Sequence, residues 1–356
     1  MSKVTVLMYG NIPVTFKTKA KDLYNLDNED TNTRKFKMVS LMSVVDTSHD
    51  DVIHDAAVDF YGSQLATCSS DNVVKIFNVK GNTYSHVADL KGHFAAVWQV
   101  SWAHPKFGNI LASCSYDKRV IVWKENREWT KMHDYKNHDG SVNCVSFGPP
   151  ECGLTFACGS ADGSMSVVTF RTEHNAWETR RIVAAHKLGV NALSWAPYVS
   201  LIPMFSKAGH SSKSFKRIVS AGCDCLIKIW VEVNGIWEEM VQLPNHSDWI
   251  RDVAWAPSTS IPCAQIASAC QDKKVIIWSS VDDIKWIPYE LPSFEDVVWS
   301  VSWSPTGNIL AVSEGNNKVT VWKKTCAGDW TCVSEVAGDV MPNKSVFGDD
   351  CYRPED

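Results

Sequence analysis

Short apolar runs, rich in β-branched and aromatic residues and broken by turn-forming pairs, recur along most of this chain. The clearest stretch is residues 92–124, GHFAAVWQVSWAHPKFGNILASCSYDKRVIVWK. Gly92-His93 opens it, Ser115-Tyr116-Asp117 marks a tight turn, and Val122-Trp123 closes the third run. These runs are too short and too β-branched for helices, so they read as strands. A fourth run, REWTKMHDY, follows. The four-run unit then returns at a spacing of about 40–45 residues. The other copies begin at IHDAAVDF, SVNCVSF, GVNALSW, WIRDVAW and VVWSVSW, which makes six between Val52 and Val336.

The 16 tryptophans test this register. Trp102, Trp195, Trp255 and Trp303 end a first strand, with Phe60 and Phe147 expected in the same slot elsewhere. Trp123, Trp230, Trp278 and Trp322 end a third strand, where Phe77 stands in the first repeat. Trp129, Trp177, Trp237, Trp286 and Trp330 fall in fourth strands, and Trp98, Trp249 and Trp299 open first strands. Every tryptophan thus has a repeat-linked position. The pattern predicts an all-β fold, a six-bladed propeller of the WD-repeat type. Each blade is a small antiparallel sheet that must be covered on both faces by its neighbours.

Within a blade, four polar positions can form a hydrogen-bonded relay from outer strand to inner turn. The candidate sets are His93, Ser113, Asp117 and Trp123; His186, Ser220, Asp224 and Trp230; and His246, Ser268, Asp272 and Trp278. The third repeat keeps His138 and Asp162 without the Trp, and the sixth has Asn316 for the Asp and no His. His54 is read as the corresponding histidine of the first repeat.

Composition narrows the function. The chain has 356 residues, 45% hydrophobic and 21% charged, with a formal net charge of −5, so no nucleic-acid surface is expected. The 12 cysteines show no paired C-x-x-C spacing. Cys114, Cys158 and Cys270 fall in predicted central strands, where a thiol acts as a small buried hydrophobe, and Cys223 with Cys225 is a weak zinc signal. There is no phosphate loop, nucleophile elbow or zincin-type His pair, so neither enzyme activity nor a cofactor is expected. Without an apolar or polybasic membrane element, any membrane contact is expected to be indirect. Residues 1–37 read as a disordered extension, 38–338 as the propeller and 339–356 as a flexible tail. The insertion at 198–217 in the fourth repeat reads as a mobile surface loop.

Strand counting leaves a remainder. Six blades of four strands are all located, with DWTCVSEV (329–336) completing the last. The run from Met38 to Val45 is then spare. Either it pairs with strands from another protein, a form of β-augmentation, or it is a fifth strand or ordered arm.

The segments IHDAAVDFYGSQLATCSSD, VWQVSWAHPKFGNILASCSYDKRVIVWK, HSDWIRDVAWAPS, and VVWSVSW with NILAVSEGNNKVTVWK resemble the Sec-thirteen family. That family is the WD-repeat subunit shared by the COPII outer coat and the outer ring of the nuclear pore. The resemblance runs in order over about residues 38–335; residues 1–37 find no counterpart, and Met38 aligns with the family's usual start. It implies an open ring completed in trans. A Sec-thirty-one-like coat protein, or a nucleoporin of the outer ring, would insert a blade between blades six and one. It further implies service in a lysosomal complex that regulates nutrient signalling to the TOR kinase. The expected locations are the cytoplasmic face of the endoplasmic reticulum and its coated vesicles, the nuclear envelope and the lysosomal surface. The partner interface would then include Met38, Val39, Leu41, Val44, Val58, Phe60, Leu65, Ile309, Ala311, Val319 and Val321. A different class of function is a closed propeller that reads peptides on its central face, where Trp98, Trp249, Arg251 and Trp299 are expected.

Overall fold

Alternating apolar positions in runs of about six residues make each repeat a sheet, and the computed structural model arranges these sheets as blades around an axis. It describes residues 3–9, 12–20, 39–81, 83–198, 216–257, 263–325 and 328–337. Among them are six four-stranded antiparallel sheets and one three-stranded sheet. Three strands precede the repeats: β1 (Lys3–Tyr9), β2 (Ile12–Ala20) and β3 (Val39–Asp46). Blade one is β4 (Ile53–Val58), β5 (Gln64–Ser69), β6 (Val73–Lys80) and β7 (Thr83–Lys91). Blades two to six occupy residues 97–135, 142–182, 190–244, 250–290 and 298–337. In each of the six, strands follow chain order, and the first strand lies innermost beside the first strands of its neighbours.

Aromatic residues explain why blades cannot stand alone. In blades two, four, five and six, the first-strand and fourth-strand tryptophans meet edge to face: Trp102–Trp129, Trp195–Trp237, Trp255–Trp286 and Trp303–Trp330, with centroids 5.7–6.0 Å apart. With the third-strand Trp they form a triad that fills the junction with the preceding blade. Trp123 packs with Ala66, Val74 and Ile76 of blade one, Trp230 with Ala157 and Met165 of blade three. Trp278 packs into blade four and Trp322 into blade five in the same way. In blade three, Phe147 and Trp177 pack around Phe156.

Hydrogen bonds latch the same five junctions. Indole nitrogens of Trp102, Trp195 and Trp303 donate to the carbonyls of Ala57, Ser146 and Ala254 in the preceding blades, at 3.0–3.1 Å. The Val145 amide donates to Gln99 Oε1, and the Trp255 amide to Ser194 Oγ. Among the described residues no such bond joins blade six to blade one.

The three relays assemble as four-residue chains. In blade two, His93 Nδ1 lies 2.9 Å from Asp117, His93 Nε2 lies 2.8 Å from Ser113 Oγ, and Trp123 Nε1 donates to the same Ser113 oxygen at 2.9 Å. Blades four and five repeat this through His186, Asp224, Ser220 and Trp230 and through His246, Asp272, Ser268 and Trp278. The Asp also accepts from turn amides, so one carboxylate fixes two loops. Blade one has its own version, but on His49 rather than His54. His49 Nδ1 is 2.7 Å from Asp71 and its Nε2 is 2.9 Å from Thr67 Oγ1. His54 instead bonds Ser70 and packs against Trp98, because it lies inside β4, beyond the loop that carries the relay histidine.

Two regions differ from the sequence reading. Residues 3–9 and 12–20 form strands where no regular structure was expected. β1 pairs antiparallel with both β2 and β3, so the spare run is bonded within this chain. Residues 199–215 and 338–356, where a mobile loop and a tail were expected, lie outside the described residues.

The relays set two expectations. Ser220→Ala strands the buried Trp230 indole N–H and takes the hydroxyl donor from His186 Nε2, and should cost about 1–3 kcal/mol in urea unfolding; a change below about 0.5 kcal/mol would mark the relay as ornamental. The second concerns pH. Burial lowers the pKa of His49 and His138, outweighing the nearby carboxylates. Burial works to raise Asp71, Asp117 and Asp224, but histidine and backbone hydrogen bonds overcome it and hold them low. A histidine with a lowered pKa loses stability as pH falls below its ordinary 6.5, since the unfolded chain protonates first. A carboxylate with a lowered pKa loses its share below the ordinary carboxylate range. Thermal melts should therefore be flat between about pH 7 and 8, below the range where unfolded thiols ionise, and fall in two stages on acidification. A rise in melting temperature between pH 7 and 5 would contradict this.

Candidate partner-blade interface

Sheet sequence alternates which neighbour each residue meets, and this separates the faces of blades six and one. In strand Ile309–Glu314, Leu310 and Val312 pack toward blade five. Ile309 and Ala311 point the other way and cluster with Val319, Val321, Val333 and Val336. In blade one, Ala66, Cys68, Val74 and Ile76 face blade two. Leu65, Ala56 and Phe77 face away, with Ile53, Val58, Val79, Tyr84 and Val45 of β3. Two apolar faces thus border one junction.

These faces are buried, with Ile309, Ala311, Val319 and Val321 only 3–8% exposed and Leu65 fully covered. The elements in the junction are β1, β2 and β3. β2 runs beside β4 and approaches Val298–Trp303, while β3 approaches the outer strand Trp330–Ala337.

The blade-one face is built differently from its counterparts. Strand pairing aligns Val58, opposite Leu65, with Trp102, opposite Leu111. Phe77 takes the third-strand slot and Tyr84 the fourth-strand one. Val, Phe and Tyr therefore replace the Trp triad at the single face whose preceding neighbour is not a blade of the repeat. Val58 also lacks the indole donor that Trp102, Trp195 and Trp303 supply at three of the other junctions.

Of the residues expected at the interface, Val58, Leu65, Ile309, Ala311, Val319 and Val321 share this junction. Val39, Leu41 and Val44 lie on β3, and Met38 lies outside the described residues. Phe60 does not belong. It follows β4 by two residues, is 67% exposed and contacts Tyr61 and His104. Its expected equivalence with Trp102 fails because β4 ends at Val58, and Asp59 then caps the turn by accepting from the Ser63 and Gln64 amides. Phe77, Val79, Tyr84, Val333 and Val336 were missed. Alternation within strands already separates them from the positions facing the other blade.

On the central face an arginine joins two of the expected aromatic residues. The Arg251 guanidinium stacks between Trp249 and Trp299, 5.3 and 4.8 Å from their centroids, and donates to Gln271. Trp98 donates to Ser141. At the opposite mouth is an open depression of about 530 Å³, lined by Phe60, His104, Trp195, Trp255 and several prolines. Its titratable members are already engaged, Asp59 in the turn and His104 on the Lys106 amide. His246, Cys270 and Asp272 come close together. Both ring nitrogens of His246 are used in the relay, and burial pushes the Cys270 thiol up to about 12. Cys114, Cys158 and Cys270 are fully buried free thiols, with Cys114 and Cys158 raised by burial as well.

Comparison with known proteins gives the same architecture. The profile of the WD domain, G-beta repeat family matches residues 41–78, 84–124, 129–168, 177–231, 237–279 and 289–323. A Drosophila melanogaster protein named "Protein SEC13 homolog" is 54% identical over 311 residues, covering 86% of this chain and 87% of that one. "Protein transport protein sec13" of Emericella nidulans is 45% identical, covering 84% of this chain and 99% of its own length. The Mycosarcoma maydis protein of the same description is 43% identical, covering 82% and 94%. With six matched repeats and identity of this order over most of both chains, the chain belongs to the Sec-thirteen (SEC13) family of WD-repeat propellers.

Proposed function

We propose that this chain is a structural subunit of protein transport, acting in the COPII outer coat and accepting an inserted blade between blades six and one. The observation that carries this reading is the replacement of the Trp triad by Val58, Phe77 and Tyr84 on the one face that precedes blade one. Across the junction, Ile309, Ala311, Val319 and Val321 form a second apolar face without an indole latch. Two such faces bind a sheet by burying both of its sides, which suits a partner that supplies strands. The rigid disc would stiffen the partner's rod at the point of insertion. The names borne by the fungal relatives support the transport role. The same junction would serve a blade-donating nucleoporin in the outer ring of the nuclear pore and a subunit of the lysosomal nutrient-signalling complex. The chain would then work at the endoplasmic reticulum, the nuclear envelope and the lysosomal surface, reaching membranes through its partners. The family and fold point to a non-enzymatic role.

The test is co-expression with the blade-inserting segment of the Sec-thirty-one-like coat partner, followed by size-exclusion chromatography. Val333→Lys places a charge on the blade-six face at a half-buried position and should weaken the complex about tenfold or more, equivalent to about 1.4 kcal/mol. Ile287→Lys, at a 63% exposed position on blade five, should leave it intact. Equal binding by the two variants, each with wild-type circular dichroism, would remove the junction as the site.

A further inference from the structure

The junction that would take a partner's blade is the place where this chain puts its own first strands. β2, β1 and β3 form one sheet in that order. At every other junction an innermost strand lies beside an innermost strand. Here β2 lies beside β4 and approaches Val298–Trp303, so it takes the innermost rung of a seventh blade. β1 forms the second rung, and β3 the third, near the outer strand of blade six. Val45 of β3 packs with Leu65 and Phe77, joining this sheet to blade one.

The amino-acid sequence fits that role. Tyr9 pairs with Ile12, and the residues between them are Gly10 and Asn11, types that favour two-residue hairpin connections. In β1 both alternate sets carry apolar residues, Val4, Val6 and Met8 in one and Leu7 and Tyr9 in the other. A strand covered on both faces needs that composition. Yet the sheet has three strands where the others have four, and a polar stretch, residues 21–38, separates β2 from β3. A strand pair joined to the same chain acts at an effective concentration of order millimolar, against which a partner's strands would compete.

We propose that residues 3–20 form, with β3, a displaceable seventh blade that closes the ring in cis and competes with any blade supplied in trans. This rests on the partner-blade reading above. The chain would carry its own occupant for the two apolar faces, protecting them from aggregation until a partner arrives. Competition follows mass action. If the internal blade is in place nine-tenths of the time, a partner segment binds about tenfold more weakly than it would to the open ring.

The experiment is hydrogen–deuterium exchange on the full chain, with and without the blade-inserting segment of the coat partner, alongside affinity measurement on Val6→Pro. Val6 sits in the middle strand, paired with both Thr15 and Ser43, so proline there removes a ladder donor. The expected result is slow exchange in 3–9 and 12–20 in the free chain, faster exchange there when the segment binds, and about tenfold tighter binding by Val6→Pro. Fast exchange of these residues in the free chain, or equal affinity of the two chains for the segment, overturns the internal blade while leaving the partner reading intact. Exchange in 3–20 that stays slow with the segment bound overturns the competition. If the segment binds neither chain, the partner reading fails and displacement fails with it.

Discussion

Every blade of this protein is a sheet with two apolar faces, and neither face can be left to water. A blade therefore exists only between two others, and the molecule is held together by its junctions. Five junctions solve the problem in one way, with an aromatic cluster from the following blade, an indole or amide latch and the smaller aliphatic face of the preceding blade. The relays add a second tier. They tie the loops of blades one, two, four and five to the strands of the same blade.

The sixth junction obeys the same constraint by different means. The apolar faces are present and buried, but blade one has no Trp triad and, among the described residues, no latch joins blade six to blade one. Smaller side chains on blade one leave the covering sheet less interlocked than a blade of the repeat. Under the proposed function, this junction is where an occupant would be exchanged. On the proposed reading, function would come from an ordinary packing rule relaxed at one position. The central face, by contrast, holds the Arg251 guanidinium between two rings and beside a glutamine.

Much of this was legible in the sequence because the packing is aromatic and periodic. Tryptophans at repeat-linked positions located the six sheets, and the His, Ser, Asp and Trp spacing located three relays whose atoms lie in hydrogen-bond contact. Blade one was read less well. With no Trp on its gap-facing side, nothing distinguished Phe60 from Val58 as the first-strand residue, and His49 was overlooked for His54. The N-terminal strands were missed for another reason. A polar stretch at 21–38 coloured the reading of residues 3–20, although VTVLMY and IPVTF flanking Gly10-Asn11 already carried a hairpin signal. Which faces pair across the closing junction depends on strand order in space, which a linear pattern does not contain.

The most direct measurement is an experimental structure of the full chain bound to the blade-donating segment of the coat partner. The account predicts partner strands lying between β4 and Val298–Trp303, against Phe77 and Val321, with β2 displaced from that position. Partner density on the central face around Arg251, with β2 still beside β4, would contradict it.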